Sequence, residues 1–494
     1  MFPDTPIQEI DSLLQQAWNA FPIFRQVSIR ERARFLRTIA ANIEASQQLI
    51  PVAMEETNLP EARLRVEKAR TIFQLSSYAD HCEQGAWLEA RIDTANPQLN
   101  PPKPDIRKYL IPLGPVVVFG ASNFPFAYST AGGDTATALA AGCPVIVKAH
   151  PAHALTSELV AQLIAGAVQE CGLPAGVFAH VHGQSNETGK TLVMHPRTKA
   201  VGFTGSFAGG KALFNWANQR TEPIPVFAEM GSVNPVFLLP EKLRQSAGEI
   251  ARQYAASITQ SVGQFCTNPG LLIGLEDRAL DEFLETLGAA IRKTAPEPML
   301  HPGIAKAFRE KRTAALSQPD VQLIAESSQS ATELQGIPTI ASTTGEAFLQ
   351  NPLLHQEVFG PYSILVRCKD ITEMLRVARQ LEGQLTSTLM ATEEEVKQVP
   401  ELVDALVNAC GRFIFNGVPT GVTVALSMQH GGPYPATTDA RFTSVGADGI
   451  RRFARPLAYQ NWPDSLLPPA LQNANPLGIW RTVNNELTKA FIVF

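Results

Sequence analysis

The stretch "SVGQFCTNPG" sets Cys266 in a loop between Gly263 and Pro269. A cysteine on the apolar stripe of a helix is a packing residue. One held in a loop beside a helix terminus can be reached and deprotonated, and its thiolate is a strong nucleophile. Three further stretches contain groups that could serve such a nucleophile. In "GASNFPF" the amide of Asn123, next to Phe-Pro, can donate to an oxyanion or satisfy its own turn. In "VFAEMGSVNP" Glu229 ends a β-like run ahead of Gly231. Its carboxylate is a general base if partial burial raises its pKa, or else a strand-end ion-pair partner. In "FTGSFAGG" Gly205 permits a tight turn and a helix begins near Ala208. The first N–H groups of that helix favour an anion such as pyrophosphate, although the G-x-G-x-x-G spacing is missing and a plain glycine-rich turn reads the same way.

These groups need elements that position them. The first ninety or so residues read as helices, with "IQEIDSLLQQAWNAF" and "RERARFLRTIAANIEASQQLI" apolar at helical spacing. From residue 114 the pattern alternates: "PVVVFG", "PVIVK", "GVFAHV" and "AVGFTG" are strands separated by helices. One of these helices, "ALTSELVAQLIAGAVQECG", has Leu155, Leu159, Leu163 and Ile164 on one face. A second series, "NPVFLL", "GLLIG", "GPYSILV", "TSTLMAT" and "GRFIFN", follows from residue 233. Strands alternating with helices predict parallel, doubly wound sheets that bind ligands beyond their carboxyl ends. The expected organisation is α/β. A Rossmann-like cofactor domain comprises 1–93 and 113–230, and an α/β catalytic domain comprises 231–435. A small β element for oligomerisation is built from 94–112 and 457–494, and the part played by 464–494 stays open.

Composition narrows the function classes. A net charge of −5 without a basic block argues against nucleic acid or an anionic membrane as partner. The N-terminal "MFPDTPIQEIDSLLQQ" is not the charge pattern of a signal peptide, and no run of about 18 apolar residues occurs. The six cysteines are scattered without a C-x-x-C pair, which fits a reducing cytoplasm. His150 and His153 are the one paired-histidine spacing of note. No third ligand stands with them, so no metal is expected.

Taken in order, "SNFP", "FTGS", "AEMG", "VGQFC" and "EVFGP" resemble the NAD(P)-dependent aldehyde dehydrogenase superfamily over nearly the whole chain. "MQHGGPYPATTDARFTSVG", "IRRFARPLAYQNWP" and "VKAHPAHALTSELV" resemble, within it, the group of α-ketoglutarate-semialdehyde (2,5-dioxopentanoate) dehydrogenases and the related bacterial fatty aldehyde dehydrogenase. The resemblance implies that Cys266 attacks an aldehyde to form a thiohemiacetal, with Asn123 holding the oxyanion, and that Glu229 activates the water that hydrolyses the later thioester. It implies cofactor contacts at Lys148, His150, Pro151, Gly205, Ser206, Gly210, Glu357 and Phe359. Pro151 stands where NAD-preferring members often have a glutamate. Lys148, His150 or His153 could therefore attract a 2′-phosphate, and NADP is expected, with NAD possible. Ser232 and Val233 replace the more usual Gly and Lys after Glu229. For the substrate, Arg441 is a candidate for a distal carboxylate, whereas Phe126, Phe265 and Phe415 could line a tunnel for a longer aldehyde. A non-catalytic scaffold with this fold would have no reason to keep Cys266, Glu229 and Asn123 together. Homodimers or homotetramers are expected.

Overall fold

Short β-branched runs become buried strands wherever a helix follows to cover them. In the computed structural model, which describes residues 2–493, Val116–Phe119 lies at the centre of a five-stranded parallel sheet. The chain steps outward from it to Val145–Lys148 and Phe178–Val181, then crosses back to Ala200–Thr204 and Val226–Glu229 on the other side. The direction of winding therefore reverses between Val116–Phe119 and Ala200–Thr204. Crevices for ligands open at such a reversal, beyond the carboxyl ends, and here the loops holding Asn123 and Gly205 follow those two strands.

The second sheet has seven strands in the order Gln322–Glu326, Thr339–Thr344, Tyr362–Cys368, Leu271–Leu275, Val236–Leu238, Gln384–Met390 and Cys410–Phe415. All neighbours are parallel except the first pair. Apolar clusters cover both of its faces, one around Phe237, Phe308 and Phe348 and one around Tyr254, Phe283 and Leu287. A third sheet joins Ala454–Gln460, Ile106–Pro112, Arg91–Asp93, Arg481–Val483 and Glu486–Thr488. It takes in Arg91–Asp93, just ahead of the expected 94–112, and begins at Ala454 rather than 457. Residues beyond 464 fold back onto it. The buried Arg481 guanidinium donates to the Asn473 and Ala490 carbonyls at 3.3 and 3.0 Å, and Arg481–Val483 pairs parallel to Arg91–Asp93.

Two helical expectations shift. The run after Arg30 is two helices, Ile29–Ala45 and Leu49–Thr57, because Ser46 turns extended between them. In Ala154–Glu170 the buried stripe runs through Thr156, Val160, Ile164 and Ala167. Leu155 is exposed, and Leu159 and Leu163 lie on the flank. Small residues on the inner face let this helix pack closely, so the leucines are displaced to its side. No helix among the described residues is long and apolar enough to cross a membrane.

Candidate active site

Cys266 is positioned by a tight turn. The helix Pro240–Thr259 ends, and Ser261, Val262 and Gly263 all take positive φ, at 48°, 58° and 63°. A β-branched residue at such a φ is strained and needs the surroundings to hold it. Val262 is held by burial in the catalytic core. Gly263 has no alternative, since a Cβ there would lie 2.3 Å from the backbone of Gly360. The Asn234 amide then fixes the far side of the turn, donating to the carbonyls of Cys266 and Asn268, each at 2.9 Å. Ser232 and Gln384 anchor Asn234 in turn: the Ser232 hydroxyl donates to Gln384 Oε1 at 2.8 Å and accepts from the Asn234 and Leu385 N–H groups. The unusual serine after Glu229 thus braces the cysteine loop.

The thiol faces a buried carboxylate and an imidazole. His430 Nε2 lies 3.5 Å from Cys266 Sγ and 3.0 Å from Glu229 Oε1, and the ligand atoms of all three lie within 4.8 Å of one another. Ser444 Oγ donates to the other oxygen of Glu229. Loop 430–444 is tied to the strand carrying Glu229 by Met230 N to Ala436 O at 2.8 Å and Thr438 N to Ala228 O at 3.1 Å. His430 Nδ1 is buried without a partner. Nε2 is the ring nitrogen that stands between carboxylate and sulfur, so a proton it carries can be donated to either.

The electrostatics differ from the simplest sequence expectation. Burial works to raise the Glu229 carboxyl, but the His430 charge and hydrogen bond, with Ser444 and the thiol, outweigh it and hold Glu229 below the usual carboxylate range. Burial also pushes the Cys266 thiol well above its ordinary value, and the neighbouring Glu229 and Glu357 add to this while Arg412 opposes it. At neutral pH the ligand-free site holds a thiol beside an ionised carboxylate.

Asn123 is buried, and its Nδ2 donates to the Gln264 carbonyl at 3.1 Å. That uses one of its two N–H bonds and leaves the other for an oxyanion. Its backbone is held from the helix Glu61–Gln84: Arg63 donates to Asn123 O at 2.8 Å and pairs with Glu67 at 2.7 Å, and Glu67 accepts from the N–H groups of Phe126 and Ala127. Glu67→Ala leaves Arg63 and two buried N–H groups unpaired. Its expected cost is about 3–5 kcal/mol, read from urea unfolding, with Glu67→Gln losing less because it keeps an acceptor.

The residues expected at a dinucleotide are spread along the crevice. Lys148 ends its strand half-buried, with no ion pair among the described residues, and burial lowers its amino group below the usual lysine range against the pull of Asp4. Pro151 is exposed on the next turn. Gly205 and Ser206 are exposed, and Ser206 caps the helix Phe207–Asn218 by accepting from Gly209 N at 3.2 Å. Gly210 lies inside that helix, where a Cβ would meet Met230 at 2.6 Å, so close helix–strand packing is what it supplies. Glu357 and Phe359 line a cleft with Ser232, Val233 and Phe265. Burial pushes the Glu357 carboxyl up to about 7 against the opposing pull of Lys311. Gly231 leaves the room for Glu357, since a Cβ there would meet Glu357 Oε2 at 2.6 Å. His150 and His153 do not offer cations. Burial holds His150 well below the usual histidine range, and its Nδ1 accepts from Ala152 N; His153 is fully buried against the Ala121 carbonyl. An exposed helix N-terminus, an unpaired lysine and a cleft carboxyl together fit a nicotinamide dinucleotide.

Three of the four substrate candidates are corrected. Phe126 is 1% exposed and belongs to the main core. Its neighbour Phe124 is the ring that meets Phe265, edge-on at 5.4 Å, and Tyr128 at 5.1 Å. Phe415 ends an edge strand and is half exposed. Arg441 is exposed and taken by Asp439, two residues before it, through bonds of 2.8 and 2.6 Å. Phe265 alone stays beside the cysteine, under the Arg63 guanidinium at 5.7 Å. His430 and Ser444 were not anticipated. The available signal was His430-Gly431-Gly432: both glycines sit where a Cβ would strike backbone, at 2.7 and 2.1 Å, so the loop is forced close to its neighbours.

Comparison with known proteins agrees with this geometry. The model of the aldehyde dehydrogenase family matches residues 2–435. The chain is 47% identical to alpha-ketoglutaric semialdehyde dehydrogenase 2 of Azospirillum brasilense, over 96% of this chain and 90% of that protein. It is 44% identical to alpha-ketoglutaric semialdehyde dehydrogenase of Acinetobacter baylyi, over 99% and 93%. Its fold matches that of 1-pyrroline-5-carboxylate dehydrogenase from Thermus with bound NAD, at a TM-score of 0.78 and 22% identity, over 92% of this chain and 86% of that one. A loop-borne cysteine, a strand-end glutamate and an asparagine amide, gathered at the mouth of a doubly wound sheet, are what the match over residues 2–435 spans, and the chain belongs to the aldehyde dehydrogenase family.

Proposed function

We propose that the protein oxidises α-ketoglutarate semialdehyde to 2-oxoglutarate, with NADP preferred to NAD. The observation that carries the oxidation is the convergence of Cys266 Sγ, His430 Nε2 and Glu229 within 4.8 Å; the names of the two relatives support the substrate. When bound, the nicotinamide supplies the hydride acceptor. Glu229 takes the thiol proton, and the Nε2–H of His430 donates to the thiolate that remains. The sulfur adds to the aldehyde carbon while the free N–H of Asn123 meets the oxygen that becomes negative. Loss of one hydride from that carbon leaves a thioester on Cys266. Glu229, having released its proton, then draws one from a water as the water attacks the thioester, and Cys266 leaves as the thiolate. The balance is one aldehyde and one water in, one carboxylate, one hydride and two protons out.

The preference for NADP is supported by Lys148, a cation with no ion pair among the described residues, and by the exposed Pro151 in place of a carboxylate that would repel a 2′-phosphate. Subunits pair through the free edge of Ala454–Gln460, and six unpaired cysteines suit a reducing cytoplasm. Steady-state kinetics with α-ketoglutarate semialdehyde, octanal and dodecanal, each with both cofactors, tests this. The semialdehyde is expected to have the highest kcat/KM, by about 10-fold or more. A preference for dodecanal overturns the substrate, and equal use of NAD overturns the cofactor preference alone.

A further inference from the structure

Arg63, Glu67, Arg70 and Gln74 form one stripe of the helix Glu61–Gln84, laid along residues 123–128. Arg63 and Glu67 pair with each other, and Gln74 donates to Ala127 O. Arg70 is the member left over. Its Nη1 donates to Val422 O, while its Nε and Nη2 are buried without any partner. Those two nitrogens form the side of the guanidinium that binds both oxygens of a carboxylate in parallel.

A second arginine comes to the same place. Arg412, on Cys410–Phe415, donates to Gly421 O at 3.0 Å and Pro419 O at 2.6 Å, so the two guanidiniums grip carbonyls of one four-residue loop. Arg412 Nε is also buried and unpartnered. Among the described residues neither arginine has a carboxylate in ion-pair range, whereas Arg63 and Arg441 each do. Half-buried cations on one loop, with buried N–H groups and no anion among the described residues, are costly unless a ligand supplies one. They also flank the chemistry. The Arg412 charge acts on Cys266 and Tyr128 and the Arg70 charge on Tyr128, whose ring centroid lies 6.5 Å from that of His430.

We infer that the Nε–Nη2 edge of Arg70, backed by Arg412, binds the carboxylate at the far end of an aldehyde whose other end reaches Cys266. This rests on the semialdehyde reading above and names the residues that recognise it. Arg441 has no part in it, since Asp439 already occupies its fork.

The test is the ratio of kcat/KM for α-ketoglutarate semialdehyde to that for pentanal, in the wild type, Arg70→Met and Arg70→Lys. Loss of a bidentate charged contact is expected to lower this ratio about 100-fold in Arg70→Met. Arg70→Lys, which keeps the charge without the fork, is expected to fall between and stands in if the methionine variant does not fold. Inhibition by glutarate, an unreactive dicarboxylate, is expected to weaken in parallel. A ratio within threefold of wild type in both variants, with glutarate inhibition unchanged, overturns the assignment and means that water alone satisfies Arg70. If the wild type itself favours pentanal, the semialdehyde reading fails first. If the wild type favours the semialdehyde and the ratio stays within threefold of it in both variants, only the arginine assignment fails.

Discussion

Cys266→Ala is expected to lower kcat/KM by about 10⁴-fold or more while leaving the fold intact, because no other nucleophile stands at the site. The hydroxyl bound to the same carboxylate, that of Ser444, is committed to Glu229 and to the His430 carbonyl at 3.1 Å. The same thiol sets the pH dependence. Its folded pKa is raised by burial first and by Glu229 next, and Glu229 is itself held low. Proton transfer from sulfur to carboxylate is therefore uphill in the ligand-free site, and the thiolate fraction grows as pH rises. In the wild type, kcat/KM and the rate of alkylation by iodoacetamide should both climb from pH 6 towards the alkaline range, and alkylation should vanish at this position in Cys266→Ala. A rate that is flat with pH would mean that the thiol is already ionised at rest.

Glu229→Gln is expected to separate the two halves of the reaction. Glutamine keeps the size and can still hydrogen-bond to His430 and Ser444, but it cannot take a proton from water. Hydrolysis of the acyl enzyme should slow by about 10²–10⁴-fold, the usual worth of a positioned base. At alkaline pH, where the thiol can lose its proton to solvent without the carboxylate, rapid mixing should then show a burst of reduced nicotinamide near one per subunit, followed by a slow steady rate. The amplitude distinguishes the roles. A full burst places Glu229 chiefly in deacylation. A lost burst means that the carboxylate is also indispensable for deprotonating the thiol, a task its distance from Cys266 permits.

Much of this arrangement was legible because its parts announce themselves locally. Asn123, Glu229 and Cys266 each end a strand or sit in a glycine-marked loop, and the alternating pattern around them predicts the crevice that collects such loops. His430 comes 164 residues after Cys266 in a segment without periodicity, so only the tertiary fold shows that it sits between thiol and carboxylate. Phe126 and Phe124 flank the same proline, and nothing in their spacing says which ring turns into the core; Glu67, reaching over from a distant helix, binds the Phe126 N–H and decides it. Arg441 misled for the opposite reason. Its partner Asp439 is nearby in sequence and draws it to the surface, while Arg70 and Arg412, unremarkable in their helix and strand, are left without an anion.

The central claim is that oxidation passes through an acyl group on Cys266 that Glu229 helps to remove. Its most direct test is peptide mass spectrometry of Glu229→Gln, acid-quenched within the burst after mixing with α-ketoglutarate semialdehyde and cofactor. The acyl adduct is expected on the peptide containing Cys266 and is expected to be absent without cofactor. Full turnover with no adduct on that peptide, or an adduct on one of the other five cysteines, would contradict it.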